Sequence, residues 1–425
     1  MKEELLHFIW KMSLLDPRKL KTTNDEIISI AQSGIHNHDA GPDFLEARVR
    51  IDNTLWAGNV EIHINSSDWY KHGHHKDEAY KNVILHVVFN HDKDIFHQNE
   101  KHPVPVLQLK DSISPEIIRK YESMLYNSEW IPCAKHLHKV PFLHQVSWLE
   151  RVLIERLEEK SERIFDQLKN TSGNWQECFY RALARYFGFN VNNQPFEQLA
   201  SSLPSNILVR HKNNRLQLEA LLFGQAGMLP SAQFQDEYPN KLSKEYDFLR
   251  KKYNLTPLEL HQWKFMRTRP SNFPGIRISQ LADLISHSSH LFSKLLEQSS
   301  TKSAEKLFEC TASEYWNDRY HFDKPAPSKP KKLGKKSIQN LLINLMAPFL
   351  YAYGKYHNKE DYKTKAIEIL EELSPEQNSI TKKWRELGIP NKNAARSQAL
   401  LYLHKNYCKR KKCLNCQIGT YILKN

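Results

Sequence analysis

Hydrophobic residues recur along this chain with two different periods. Between Lys2 and Met12, Leu5, Leu6, Ile9 and Trp10 fall on one side of a helix. Glu26–Ser33 reads as a short strand, and Gly34–Pro42 as a polar turn. Phe44–Ile51 and Thr54–Ile64 read as two paired strands joined at Asp52-Asn53. Residues 66–82 are polar and rich in histidine. The expectation there is a loop and then a helix, with Trp69, Ala79 and Tyr80 facing the core. Val83–Phe89 is a continuous apolar run, as expected of a strand covered on both faces. Val104–Leu109 adds one more strand. The order helix, three strands, helix, two strands predicts an α/β sandwich with a mixed sheet.

Beyond about residue 140 the period changes to that of helices. Helices are expected at Ser147–Asn170, Trp175–Phe187, Leu216–Ala226, Ser243–Lys252, Ile278–Gln298, Ser303–Trp316, Ser337–Tyr353, Tyr362–Leu373 and Ala394–Lys405. Strand signals are sparse, and Pro325-Ala-Pro-Ser-Lys-Pro-Lys-Lys reads as an exposed linker. The class is therefore α+β: a sandwich followed by a mostly helical part. At 425 residues the chain exceeds one ordinary core. Three regions are expected: an α/β domain over 1–135, a helical domain over 140–325, and a basic helical region over 330–425.

Charge sharpens this division. The formal net charge is +13, and residues 301–425 hold 24 Lys+Arg against 12 Asp+Glu, so that segment alone contributes +12. A basic C-terminal part beside a near-neutral remainder points to a polyanion, and nucleic acid is the expected partner. No apolar run is long enough to cross a bilayer, no signal peptide is visible, and six scattered cysteines do not suggest a secreted disulfide framework. A soluble cytoplasmic protein without membrane contact is expected.

Candidate chemistry concentrates at Asp43 and Glu61. An Asp and a Glu on neighbouring strands make a small acidic cup that suits a hard divalent cation, Mg²⁺ or Mn²⁺, beside a phosphate. Alternation places Glu61, His63 and Asn65 on one face of their strand. It also puts Asp43 on the side of Leu45, Ala47 and Val49, so a bend at the strand start is required. Eleven of the 21 histidines lie within the first 103 residues. His36, His38, Asp39, His63, Asp68, His72, His74, His75 and Asp77 therefore suggest a second possibility, a zinc or manganese hydrolase. No HExxH spacing accompanies them.

Pro42-Asp43 and Glu61-Ile62-His63, set in that order of elements, resemble the PD-(D/E)XK nucleases. The resemblance implies a PD-(D/E)XK-like sandwich with a metal held by Asp43, Glu61 and the Ile62 carbonyl. His63 would stand where lysine is usual and handle the proton of the attacking water. Lys71 could substitute for that lysine, and Glu3 or Glu4 could complete the site. The implied function is phosphodiester hydrolysis. The missing lysine leaves an alternative: a catalytically inactive nucleic-acid-binding or scaffold protein on the same fold.

The tail holds His404, Cys408, Cys413 and Cys416, spaced H-x3-C-x4-C-x2-C. Thiolates at this spacing suit a metal. Zinc would take His404 as fourth ligand, and a four-iron, four-sulfur cluster would take Cys133. Arg267, Arg269 and Arg277 in a proline-rich loop, with Lys409 and Arg410 beside the cysteines, are candidate phosphate contacts. No P-loop, GxGxxG or GxSxG pattern is present.

Asn37–Phe44, Trp56–His63, Ser66–Trp69, Val83–Val88, Leu221–Gly227, Arg269–Pro274 and the Cys408–Gly419 tail together resemble an uncharacterised bacterial family, a domain of unknown function. That resemblance spans nearly the whole chain and implies no activity.

Overall fold

The structure, a computed structural model, describes every residue except 1, 99, 190, 231–233, 266–268, 289 and 299. Its contacts divide the chain into two units. Met1–Leu149 with Tyr402–Asn425 form the first, and Glu150–Leu401 form the second.

In the first unit, helix α1 (Glu3–Lys11) buries Leu5, Leu6, Phe8, Ile9 and Trp10, with Glu3 and Glu4 in its first turn. Carboxylates there complement the partial positive charge of the helix start. Six strands follow: β1 (Ile28–Gln32), β2 (Ile35–His36), β3 (Phe44–Ile51), β4 (Thr54–Asn65), β5 (Val83–Asn90) and β6 (Val106–Gln108). They form one mixed sheet in the order β1-β3-β4-β5-β6, with β2 also paired to β3. The pairs β1–β3, β2–β3 and β3–β4 are antiparallel, whereas β4–β5 and β5–β6 are parallel.

The bend required at the start of β3 is a β-bulge. The β3–β4 register shifts between Phe44 and Ala47, and Glu46 takes the left-handed conformation at φ 56°. One extra residue reverses the alternation. Phe44 is buried on one side of the irregularity, and Ala47, Val49 and Ile51 on the other. The bulge thus frees the residues before Phe44 from the face that alternation alone assigns them.

Two parallel neighbours need a crossover, and residues 66–82 supply it. Only one short helix, α2 (Asp68–Lys71), forms there, followed by two 3-10 turns at His74–Lys76 and Glu78–Tyr80. The longer helix expected before Val83 is absent. Tight polar turns use up this segment: Asp77 caps Ala79 at 2.9 Å, and Asp68 accepts from the Asn65 amide at 3.0 Å. Ser66 ties the start of the crossover to the end of β5, accepting from the Asp92 and Lys93 amides at 3.0 and 2.9 Å. Trp69 and Tyr80 are buried as expected, in a cluster with Val83, Val88, Ile95, Val104 and Val106.

The C-terminal segment belongs to this unit. Its last helix, Gln417–Lys424, buries Ile418, Gly419, Ile422 and Leu423. A Cβ on Gly419 would meet the Cys413 carbonyl oxygen at 2.3 Å, so only glycine allows that approach.

The second unit is helical apart from a two-stranded hairpin at Arg319–His321 and Lys324–Pro325. Trp175–Phe187 forms as its periodicity requires. Ser303–Trp316 does not form one helix: it stops at Leu307. The chain beyond pairs with residues 331–333 instead, through Ala312 N to Lys331 O and Leu333 N to Cys310 O. That pairing competes with helical propensity and wins. It also anchors the end of the proline-rich stretch, where Lys331 is buried. One buried carboxylate here is satisfied by a network. Glu219 accepts from Ser279 at 2.7 Å, from Ser313 at 3.0 Å and from Tyr238. Among the described residues no helix is long and apolar enough to cross a membrane.

Candidate metal centre

Strand pairing brings Asp43 to Glu61. Phe44 faces Val60 across β3–β4, so the preceding residue falls opposite Glu61. Each carboxylate is fixed by a backbone amide of the neighbouring strand. The Asp43 amide donates to Glu61 Oε2 at 3.1 Å, and the Ile62 amide donates to Asp43 Oδ2 at 2.9 Å. These are hard oxygen donors, Glu61 buried and Asp43 half-buried, and each group keeps lone pairs beyond those bonds. Oxygen sets of this kind fit Mg²⁺ or Mn²⁺. Burial raises the Glu61 pKa, partly offset by the bond from His74, with the charge on Asp43 adding to the rise.

Helix α1 contributes from the other side. His7 Nε2 makes ion-pair contacts with Asp43 Oδ2 at 3.3 Å and Glu3 Oε1 at 3.9 Å. Burial alone would lower the His7 pKa, but Asp43, Glu3 and Glu61 outweigh it and the pKa is raised. Glu3 has its own pKa raised by burial, and Glu4, on the outer side of the helix, is exposed.

A group of imidazoles adjoins the carboxylates. The ligand atoms of His63, His72 and His74 lie within 4.8 Å of one another. His63 Nε2 stands 3.0 Å from His72 Nδ1 and 3.4 Å from Glu61 Oε1. His74 Nε2 is 3.2 Å from the same Glu61 oxygen. The other His63 nitrogen, Nδ1, meets His86 Nε2 at 2.8 Å. Burial first, then the neighbouring imidazoles, lowers the His63 pKa to about 4. Burial likewise holds His86 well below the usual histidine range. Both are neutral at pH 7 and able to offer a lone pair.

The remaining sequence candidates fall elsewhere. Lys71 is on α2, exposed, and pairs with Asp68. His36 stacks on Phe44 at 4.8 Å. Arg269 is exposed, and Arg267 lies outside the described residues. Arg277 is 3% exposed. Its guanidinium donates to Gln280 at 2.9 Å and Asn272 at 2.5 Å, and sits over the Phe189 ring. Its fork is committed inside the second unit, away from any surface phosphate. Lys409 and Arg410 are exposed beside the tail cysteines.

Cys133, Cys408, Cys413 and Cys416 come together. Every pair among these four thiols is within electrostatic reach. Burial first and neighbouring thiols second raise three of them, Cys413 to about 12 and Cys133 and Cys408 more strongly. Raised in this way they stay protonated and uncharged, and a metal bound there would take them as thiolates. His404 is buried against Trp130, with ring centroids 4.5 Å apart.

His7 and His86 were not singled out from the sequence. For His86 a signal existed: a histidine inside an apolar strand run must find a polar partner. For His7 none did, since its partner Asp43 is remote in sequence. A family model described as "Protein of unknown function (DUF2851)" matches residues 3–379. No curated protein and no solved structure matches.

Proposed function

We propose that this chain, which belongs to the DUF2851 family, is a metal-dependent hydrolase of nucleic-acid phosphodiesters. The observation that carries the reading is the pairing of Asp43 and Glu61 at a bulged strand start, with the Glu61 carboxylate held by the Asp43 amide and the Asp43 carboxylate by the Ile62 amide. The strand order supports a PD-(D/E)XK-like core: an antiparallel β3–β4 pair followed by a parallel β5. A hard cation held by Asp43, Glu61 and the Ile62 carbonyl would lower the pKa of its bound water and offset phosphate charge. Glu3, on α1, lies within electrostatic reach of Asp43. His63 occupies the position that the resemblance gives to lysine, but both its ring nitrogens face other imidazoles. His7 reaches Asp43 and has its pKa raised, which suits donation of a proton to a leaving oxygen. Net charge of +13 supports a polyanionic substrate. The four grouped cysteines support a zinc or iron–sulfur staple for the tail.

The test is cleavage of labelled DNA and RNA, single- and double-stranded, with Mg²⁺ or Mn²⁺. Asp43→Ala and Glu61→Ala are each expected to lower the rate at least ~100-fold, as loss of an essential electrostatic group does. Cleavage equal in wild type and both variants removes the proposal. The second reading, a catalytically inactive nucleic-acid-binding or scaffold protein, is favoured by the absence of a lysine two residues after Glu61. Salt-sensitive binding without cleavage selects it.

A further inference from the structure

We infer that His63, His72, His74 and Glu61 form a second cation site, for a borderline transition metal such as Zn²⁺, with Glu61 shared between it and the carboxylate site. The inference rests on the reading above only for the first cation.

Donor geometry is the first argument. Zinc bonds nitrogen at about 2.0–2.1 Å and a tetrahedral set then has neighbouring donors roughly 3.3 Å apart. The separations here are 3.0 Å for His63–His72, 3.2 Å for His74–Glu61 and 3.4 Å for His63–Glu61. Three imidazole donors lie within 4.8 Å of one another, and two of them also face a Glu61 oxygen. Imidazoles select Zn²⁺ and its neighbours, whereas the oxygen donors of Asp43 and Glu61 select harder ions. The two Glu61 oxygens also face different ways. Oε2 is held by the Asp43 amide, and Oε1 faces His63 and His74. A carboxylate so placed joins two ions, as in binuclear hydrolases.

Support around the donors is the second argument. A ligating imidazole characteristically gives its remaining N–H to a buried acceptor, which fixes the tautomer. His63 Nδ1 has such a partner, His86 Nε2, at 2.8 Å. That assignment leaves His63 Nε2 with its lone pair toward His72 and Glu61. His74 is clamped between rings: stacked on Tyr80 at 3.8 Å and edge-on to Trp69 at 5.5 Å. Gly73, at φ 79°, turns the chain sharply enough that residues on both sides of it face His63. The crossover that links two parallel strands therefore doubles as a ligand loop.

The test titrates the chelator-stripped full-length protein with Co²⁺ as an optical stand-in for zinc. Expected is one equivalent with visible ligand-field bands and no thiolate-to-cobalt charge transfer, which separates it from metal at the cysteines. His72→Ala and His74→Ala should weaken this binding at least tenfold, while Asp43→Ala should retain it. Circular dichroism in chelator checks each fold. If one histidine variant fails to fold, the other carries the comparison. Wild type lacking the thiolate-free band, or binding unchanged in a folded histidine variant, overturns the inference. A protein that binds cobalt in this way but cleaves no nucleic acid keeps this site and loses the phosphodiesterase reading. Cleavage that needs Asp43 without a thiolate-free cobalt site does the reverse.

Discussion

Replacing Glu61 by glutamine should make the metal-free protein more stable and the metal-loaded protein less so. Glu61 is only 4% exposed, and burial is the largest influence raising its pKa. Without a cation its charge therefore weakens the fold. Glutamine keeps the shape, and its carbonyl oxygen still accepts from the Asp43 amide, now 3.1 Å from Oε2. The expected gain is roughly 1–2 kcal/mol, the range of single stabilising substitutions. In a unit of this size that is about 3–6 °C in Tm. The pH dependence has a definite sign. A carboxyl whose folded pKa is raised gives its full stability below the unfolded pKa and loses it as pH rises through the folded pKa. The advantage of Glu61→Gln should accordingly grow over that window and level off above it. A cation reverses the order. At 100 times its Kd, a ligand stabilises wild type by about 2.7 kcal/mol, and the variant gains little. The assay is thermal melting in chelator and in Mn²⁺ or Zn²⁺, from mildly acidic to neutral pH. A variant that melts below wild type in chelator, or that gains as much from the cation, refutes the reasoning.

Four further outcomes follow, three of them from buried groups. Lys160 donates to the Asn344 carbonyl and side chain at 3.3 and 3.1 Å, and burial holds its pKa well below the usual lysine range. Its depressed pKa means that stability is lost as pH falls from the unfolded lysine value; Lys160→Met should raise stability at neutral pH by about 1 kcal/mol in urea melts. Arg277→Ala should cost about 3 kcal/mol by stranding Asn272 and Gln280. By contrast, alanine at Lys409 or Arg410 should leave the melt unchanged and reduce the salt slope of nucleic-acid binding by about 1 each, read by anisotropy. Cys133→Ser should lower the tail's bound metal as much as Cys408→Ser does, whereas His404→Ala should not, measured by metal analysis of anaerobically purified protein.

Local pattern carried much of this fold. The apolar run at Val83 reads directly as β5, whose first six residues are all buried. Trp175–Phe187 reads as a helix because its apolar spacing has no competitor nearby. The acid pair was legible because Asp43 and Glu61 flank a strand hairpin, whose register follows from a short turn. The crossover was not. His72 and His74 sit in a polar stretch that resembles any exposed loop, and only its tie to the end of β5 turns them toward His63. Ser303–Trp316 failed as a helix for a related reason: a strand-like partner at residues 331–333 was invisible to local propensity.

The sequence by itself determined the two textures, five of the sheet's six strands (β2, at Ile35–His36, lies in what reads as a polar turn), the acidic pair and the basic tail. Each of these depends on neighbours within a few residues, where period and turn chemistry act. The tertiary structure alone decided that His7 meets Asp43, that two imidazoles share one carboxylate oxygen, and that Cys133 joins three cysteines from the far end of the chain. Those meetings close long loops. They are determined by which surfaces bury together, a property of the whole unit rather than of any segment in it.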